Sequence, residues 1–176
     1  MEQEQNKGEE QNKELEQNQQ EQPVPVFSKA LVIGFVGGIL WSFVGSIAYV
    51  LNFSSVSAAT FVLRSWIQTD WTSGWIGEFI GILAVGLLSL GTAIIYFSLL
   101  KKAKGLAPAI LFGVALWFLI FYLFNPVFSA VPEFDQFESD TIVTTLCLFI
   151  LYGTFVGYSI SYEYLENNQS SQNAPN

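Results

Sequence analysis

Four long apolar runs, Ala30–Leu51, Trp75–Leu100, Leu106–Phe124 and Thr141–Tyr162, alternate with polar stretches along the chain. A helix needs about 20 apolar residues to cross a hydrocarbon core about 30 Å thick, and each run is of that order. Lipid offers no water to backbone N–H and C=O groups. A run this long therefore satisfies its own backbone only as a helix. The pattern predicts an all-α fold, an integral membrane four-helix bundle.

The polar stretches punctuate these runs. Lys101, Lys102 and Lys104 crowd a link of about five residues, short enough to make spans two and three an antiparallel hairpin. Pro108 sits in the first turn of span three, where a missing N–H costs nothing. Asn125-Pro126 stops that helix, and Asp140 is placed to cap span four. The first outer loop, residues 52–74, is too long and too apolar for a plain connector. Within it, Val56–Ile67 reads as a short helix capped by Ser55 or Ser57. Trp66, Trp71 and Trp75 favour the membrane–water interface, so a short interfacial helix is the expectation. A lid over a cavity between the spans is the alternative.

Charge divides the chain further. Only 12% of residues are charged, against roughly 25% in soluble domains, and ten of the 22 precede Ala30. Residues 1–26 form a Glu/Gln-rich tail that cannot bury enough apolar area to order itself. Residues 27–164 form the membrane domain, and residues 165–176 a second disordered tail. Of the net charge of −8, five units come from Met1–Gln22, so the acidity is that of a tether, and nucleic acid is excluded as a partner. Lys29 and Lys101–Lys104 mark one side of the membrane, where both termini then face the cytoplasm. Val56-Ser57-Ala58 has the look of a cleavage site, but the acidic start and long apolar core argue against a signal peptide. The predicted location is a membrane, multi-pass.

Candidate chemistry is sparse. Glu78 is the one acid or base plausibly within a span, and an intramembrane ionisable group is a functional hypothesis in itself. Its position near the span edge favours an interfacial carboxylate. A pair with Arg64 and an ion or proton site are the alternatives. There is no histidine to serve a Ser-His hydrolase. Cys147 reads as a buried apolar filler of span four. Glu133, Asp135, Glu138 and Asp140 cluster, but lack the spacing of a calcium loop, and neither a metal nor a cofactor is expected. Trp41 and Trp117, near mid-span, fill the bundle or line a cavity.

Small residues give the clearest motif. Gly34 and Gly38 lie four apart in span one, continued by Ser42 and Ser46. Gly77 and Gly81 repeat the spacing in span two, and Gly153, Gly157 and Ser161 in span four. Residues four apart share a helix face, and small ones let backbones approach. The stripes predict packing within the bundle, or else a homo-oligomer face. Gly86 falls off any stripe.

Several segments together resemble the YqhR family of small multi-pass membrane proteins of endospore-forming Gram-positive bacteria. They are Gly34-Phe35-Val36-Gly37-Gly38 with Trp41, Phe124-Asn125-Pro126-Val127-Phe128, Ser139-Asp140-Thr141-Ile142, and Leu151 through Ser161 (LYGTFVGYSIS). The likeness covers roughly Ala30–Tyr164 and implies a four-span plasma-membrane protein; it carries over no catalytic residue. The resulting expectation is a non-enzymatic interaction, assembly or accessory protein with a membrane-protein partner in the lipid bilayer. A small transporter or channel subunit, using Glu78 and a cavity under the first outer loop, is the alternative. A membrane-embedded enzyme ranks behind both.

Overall fold

The computed structural model describes residues 25–172, apart from Lys104, Phe134 and Asp135. The predicted N-terminal tail lies almost wholly outside the described residues, as do residues 173–176.

Four helices make the frame: α1 (Val26–Val50), α2 (Trp75–Leu100), α3 (Ala107–Phe118, continued by the π-helical turn Leu119–Leu123) and α4 (Ser139–Gln172). α1, α2 and α4 are each long and apolar enough to cross a membrane, whereas the α3 helix is shorter. The fold is a helical membrane bundle.

Local chemistry sets the ends. Pro25 precedes α1, which closes where Asn52 adopts φ 60°. The N–H of Phe53 then reaches Ala48 O at 2.9 Å and that of Asn52 reaches Tyr49 O at 3.0 Å, a Schellman turn that satisfies two terminal carbonyls. Gly105, at φ +90°, turns the α2–α3 link, and Pro108 occupies the first turn of α3. Asp140 lies inside the first turn of α4, not at its cap. α4 also runs on through residues 165–172, which the sequence assigned to a disordered tail; its helical hydrogen bonds outlast the apolar run by more than two turns.

Helix pairing departs from the sequence expectation. α2 and α3 are joined by the short link yet hardly pack together, meeting where Tyr96 stands edge-on to Phe112 at 5.0 Å. The close pairs are α1 with α2, α3 with α4, and α1 with α4. Contacts decided by small residues win over adjacency in the chain. α4 is central, and its Tyr152, Val156 and Ile160 form a core with Ala30, Ala93, Tyr96 and Leu116. A second cluster, Val56, Trp117, Phe121 and Val131, lies at the opposite end.

The connection after α1 is folded inward. Its helix is one π turn, Ala59–Arg64, followed by the 3-10 turn Asp70–Ser73. Ser57 does cap the first of these, since its Oγ accepts the Thr60 N–H at 3.1 Å. However, Val56, Ala58, Ala59 and Leu63 are buried against the bundle, and only the following Trp66 and Ile67 are exposed. The segment roofs the bundle end.

Candidate functional site

Beneath this roof lies a cavity of about 420 Å³, within the range of about 300–1,000 Å³ usual for ligand pockets. All four helices wall it. Gly38, Trp41 and Gly45 come from α1; Val85, Leu88 and Ile95 from α2; Leu116 and Ile120 from α3; Leu148, Phe149 and Tyr152 from α4. Val56, Ser57, Ala58 and Phe61 close the top. The lining is overwhelmingly apolar.

The roof is pinned on every side. The Ser55 N–H donates to Thr141 Oγ1 on α4 at 2.9 Å. Phe61 stacks on Phe128 of the second outer connection at 4.3 Å, and Ser129 Oγ donates to Ser65 O at 2.7 Å. The strongest tie centres on Glu78. Its Oε1 accepts from Ser57 Oγ at 2.6 Å and stands 3.4 Å from Arg64 Nη2, while Oε2 accepts from Ser46 Oγ at 2.9 Å. Arg64 further donates to Thr60 Oγ1 at 2.9 Å and Thr72 O at 3.1 Å, and lies over the Tyr49 ring. Glu78 is therefore not a carboxylate standing free in the headgroups. It is 19% exposed and joins α1, α2 and the roof. Its place in the first turn of α2 also suits the positive helix end.

Midway along the bundle, three hydroxyls converge. Ser89 Oγ donates to Gly34 O at 2.6 Å, Thr92 Oγ1 donates to Ser89 O at 2.9 Å, and Tyr152 OH meets both hydroxyls. Each proton thus has an acceptor, and α1, α2 and α4 are tied together at the cavity wall.

The stripe glycines lie as follows. A methyl group at Gly34 would stand 2.4 Å from Ala93 Cβ, and one at Gly38 2.4 Å from Ser89 Cβ, both on α2. At Gly153 it would stand 2.5 Å from Gly113 Cα on α3, and at Gly157 2.8 Å from Ala109 Cβ. Ser161 Oγ meets Tyr96 OH at 3.1 Å. A Cβ at Gly77 or Gly81 would meet the roof segment first. Their neighbours are Thr72 and Ala59 of the roof segment. Gly86, off any stripe, is nonetheless buried, with Ile39 Cγ1 2.8 Å from where its Cβ would be.

Sequence reasoning missed Gly113, the partner of Gly153, although Ala109 four residues earlier makes a small-residue pair with it, because that reading looked for stripes led by glycine pairs or runs. Ser89, Thr92 and Tyr152 were missed because isolated hydroxyls in a span carry no motif. Of the two mid-span tryptophans, Trp117 is buried and donates to Thr145 Oγ1 at 3.0 Å. Trp41 lines the cavity, with Nε1 sealed in the wall and unpartnered. Cys147 is on the exposed face of α4, not buried. Among the described residues, no three His, Cys, Asp or Glu gather to hold a metal.

Long apolar helices gathered into a bundle define a helical membrane protein. The chain matches the model of the conserved membrane protein YqhR over residues 10–175, and it belongs to that family. It is 45% identical over 149 residues to the uncharacterised protein YqhR of Bacillus subtilis (strain 168), covering 85% of this chain and 83% of that protein. No solved structure matches it.

Proposed function

We propose that this chain is a non-enzymatic accessory protein of the bacterial plasma membrane that holds an apolar molecule in the cavity between its helices. Four spans with both termini in the cytoplasm are part of this reading. The observation that carries it is the cavity itself, walled by all four helices and roofed by Val56–Phe61. A transporter for ions or polar solutes is less well supported, because Glu78 is already engaged by Ser46, Ser57 and Arg64 and stays outside the cavity wall. An accessory role suits a protein that presents or withholds such a molecule from a membrane-protein partner.

Extraction in mild detergent followed by native mass spectrometry tests this. A stoichiometric hydrophobic adduct is expected. Gly45 lines the cavity, and a Cβ there meets only Leu148 Cδ1, at an ordinary 3.6 Å. Gly45→Leu should therefore fill the space and displace the adduct. A folded wild type with no adduct, or an adduct indifferent to Gly45→Leu, overturns the proposal.

A further inference from the structure

We propose that the occupant of the cavity is one hydrocarbon chain of a bilayer lipid, admitted sideways between α2 and α3. This rests on the reading of the cavity as a binding site.

The first argument is the chemistry of the wall. Every hydroxyl on it already donates elsewhere. Ser42 Oγ donates to Ile39 O, Ser57 Oγ to Glu78, Ser89 Oγ to Gly34 O, Thr92 Oγ1 to Ser89 O and Thr145 Oγ1 to Thr141 O. The Tyr152 hydroxyl faces Ser89 and Thr92. The remaining donor, Trp41 Nε1, is sealed from the cavity space. A ligand that accepts hydrogen bonds would lose its solvation without gaining a donor, which costs several kcal/mol for a carbonyl or similar group in an apolar medium. The few hydroxyl oxygens on a wall this apolar offer little to a donor. A hydrocarbon needs neither.

The second argument is shape and access. The roof closes the end of the bundle, and the hydroxyl cluster lies on the inner wall. The open side is between α2 and α3, which hardly touch along this stretch. Leu88, Ile95 and Leu119 line the cavity and are also 53%, 50% and 41% exposed, so they form the posts of a lateral opening. Gly91 stands in that opening, with nothing within 4 Å of where its Cβ would be. The opening faces the apolar flank of the bundle, and what lies there in a membrane is lipid. The wall residues on α2 run from Val85 to Ile95, a rise of about 15 Å. That is about half of a hydrocarbon core of roughly 30 Å, the depth one leaflet's chain reaches. The cavity runs along the bundle as a lipid chain runs along the membrane normal.

The test uses purified protein in vesicles of phosphatidylethanolamine and phosphatidylglycerol containing a phosphatidylglycerol with a diazirine at mid-chain. After photolysis, labelled residues are mapped by mass spectrometry. Labelling of cavity-facing Phe149 and Tyr152 is expected, beyond the surface labelling of outward Leu40 and Leu87. Gly91→Trp and Leu119→Trp, which obstruct the opening from its two sides, should each cut cavity labelling about tenfold while leaving surface labelling intact. Unchanged cavity labelling in both variants overturns the lateral entry. Surface labelling alone, in a protein that still carries a Gly45→Leu-sensitive adduct, overturns the lipid chain and leaves the binding reading standing. If that adduct is absent too, both fail. A diazirine fatty acid of equal length runs alongside, and cavity labelling by it but not by the phospholipid overturns the assignment to a bilayer lipid.

Discussion

Arg64 Nη2 lies 3.4 Å from Glu78 Oε1, and the two side chains are only 20% and 19% exposed. The pair closes the roof onto α2, and its worth follows from what each deletion strands. Glu78→Ala removes the acceptor of Ser46 and Ser57 and the counter-charge of Arg64. A loss of about 1–3 kcal/mol is expected, discounted from the fully buried case for partial solvent access. Glu78→Gln keeps an acceptor oxygen and should cost less, though more than the negligible effect of a free interfacial carboxylate. Thermal unfolding in detergent of Glu78→Ala, Arg64→Ala and the double variant gives the coupling directly. Strict additivity would show that the pair contributes nothing.

The contact of Gly153 with Gly113 is backbone on backbone, so no side chain can move aside. Gly153→Ile should destabilise by about 1–3 kcal/mol or more through overpacking. Gly157→Ile, facing Ala109 and Tyr96, should behave likewise. The proper control is Gly91→Ile, which meets open space, and not Gly86→Ile, which meets Ile39. If Gly157→Ile kept its melting temperature but altered self-association on crosslinking, the stripe would be a face between protomers.

Tyr152→Phe makes a milder change. Ser89 and Thr92 keep their carbonyl acceptors, Gly34 O and Ser89 O, after the phenol is lost. The cost should stay near 1 kcal/mol, the net worth of an ordinary hydrogen bond. A drop several times larger on thermal unfolding would mean that the cluster acts as a cooperative unit.

Orientation is tested with single cysteines on a Cys147→Ala background, since Cys147 is exposed. An impermeant thiol reagent added to intact cells should label Gln136→Cys and spare Ser171→Cys. Labelling of the latter from outside overturns the topology drawn from Lys29 and Lys101–Lys104.

The helices themselves were legible because an apolar run of some 20 residues has one way to satisfy its backbone in lipid. Which helix touches which was not. In a soluble bundle the buried face is apolar and the outer face polar, whereas here Leu87 on the outside and Leu116 on the inside look alike in sequence. Gly34 and Gly153 betrayed close approaches, but not the partners Ala93 and Gly113. Glu78 was singled out as an isolated charge, and Arg64 as one possible counter-ion. The two hydroxyls that complete its shell, Ser46 and Ser57, are supplied by elements that only the tertiary fold brings beside it. The cavity was legible only as the less favoured reading of residues 52–74, because roof and interfacial helix call for the same apolar residues.

α3 carries a consequence of its own. From Ala107 to Leu123 it spans 17 residues, a rise of about 26 Å, whereas α2 with 26 residues rises about 39 Å. If α3 crosses, its flank of the protein matches a thinner hydrocarbon layer than the flank at α2. Lipids along α3 must shorten or splay to meet it, a hydrophobic mismatch that costs fractions of a kcal/mol per Å. The strain falls beside the opening between α2 and α3, the entry proposed above for a lipid chain. Were the cavity's occupant the lipid chain proposed above, membrane thickness would set how readily the cavity fills, and the bilayer as a physical medium would govern its occupancy.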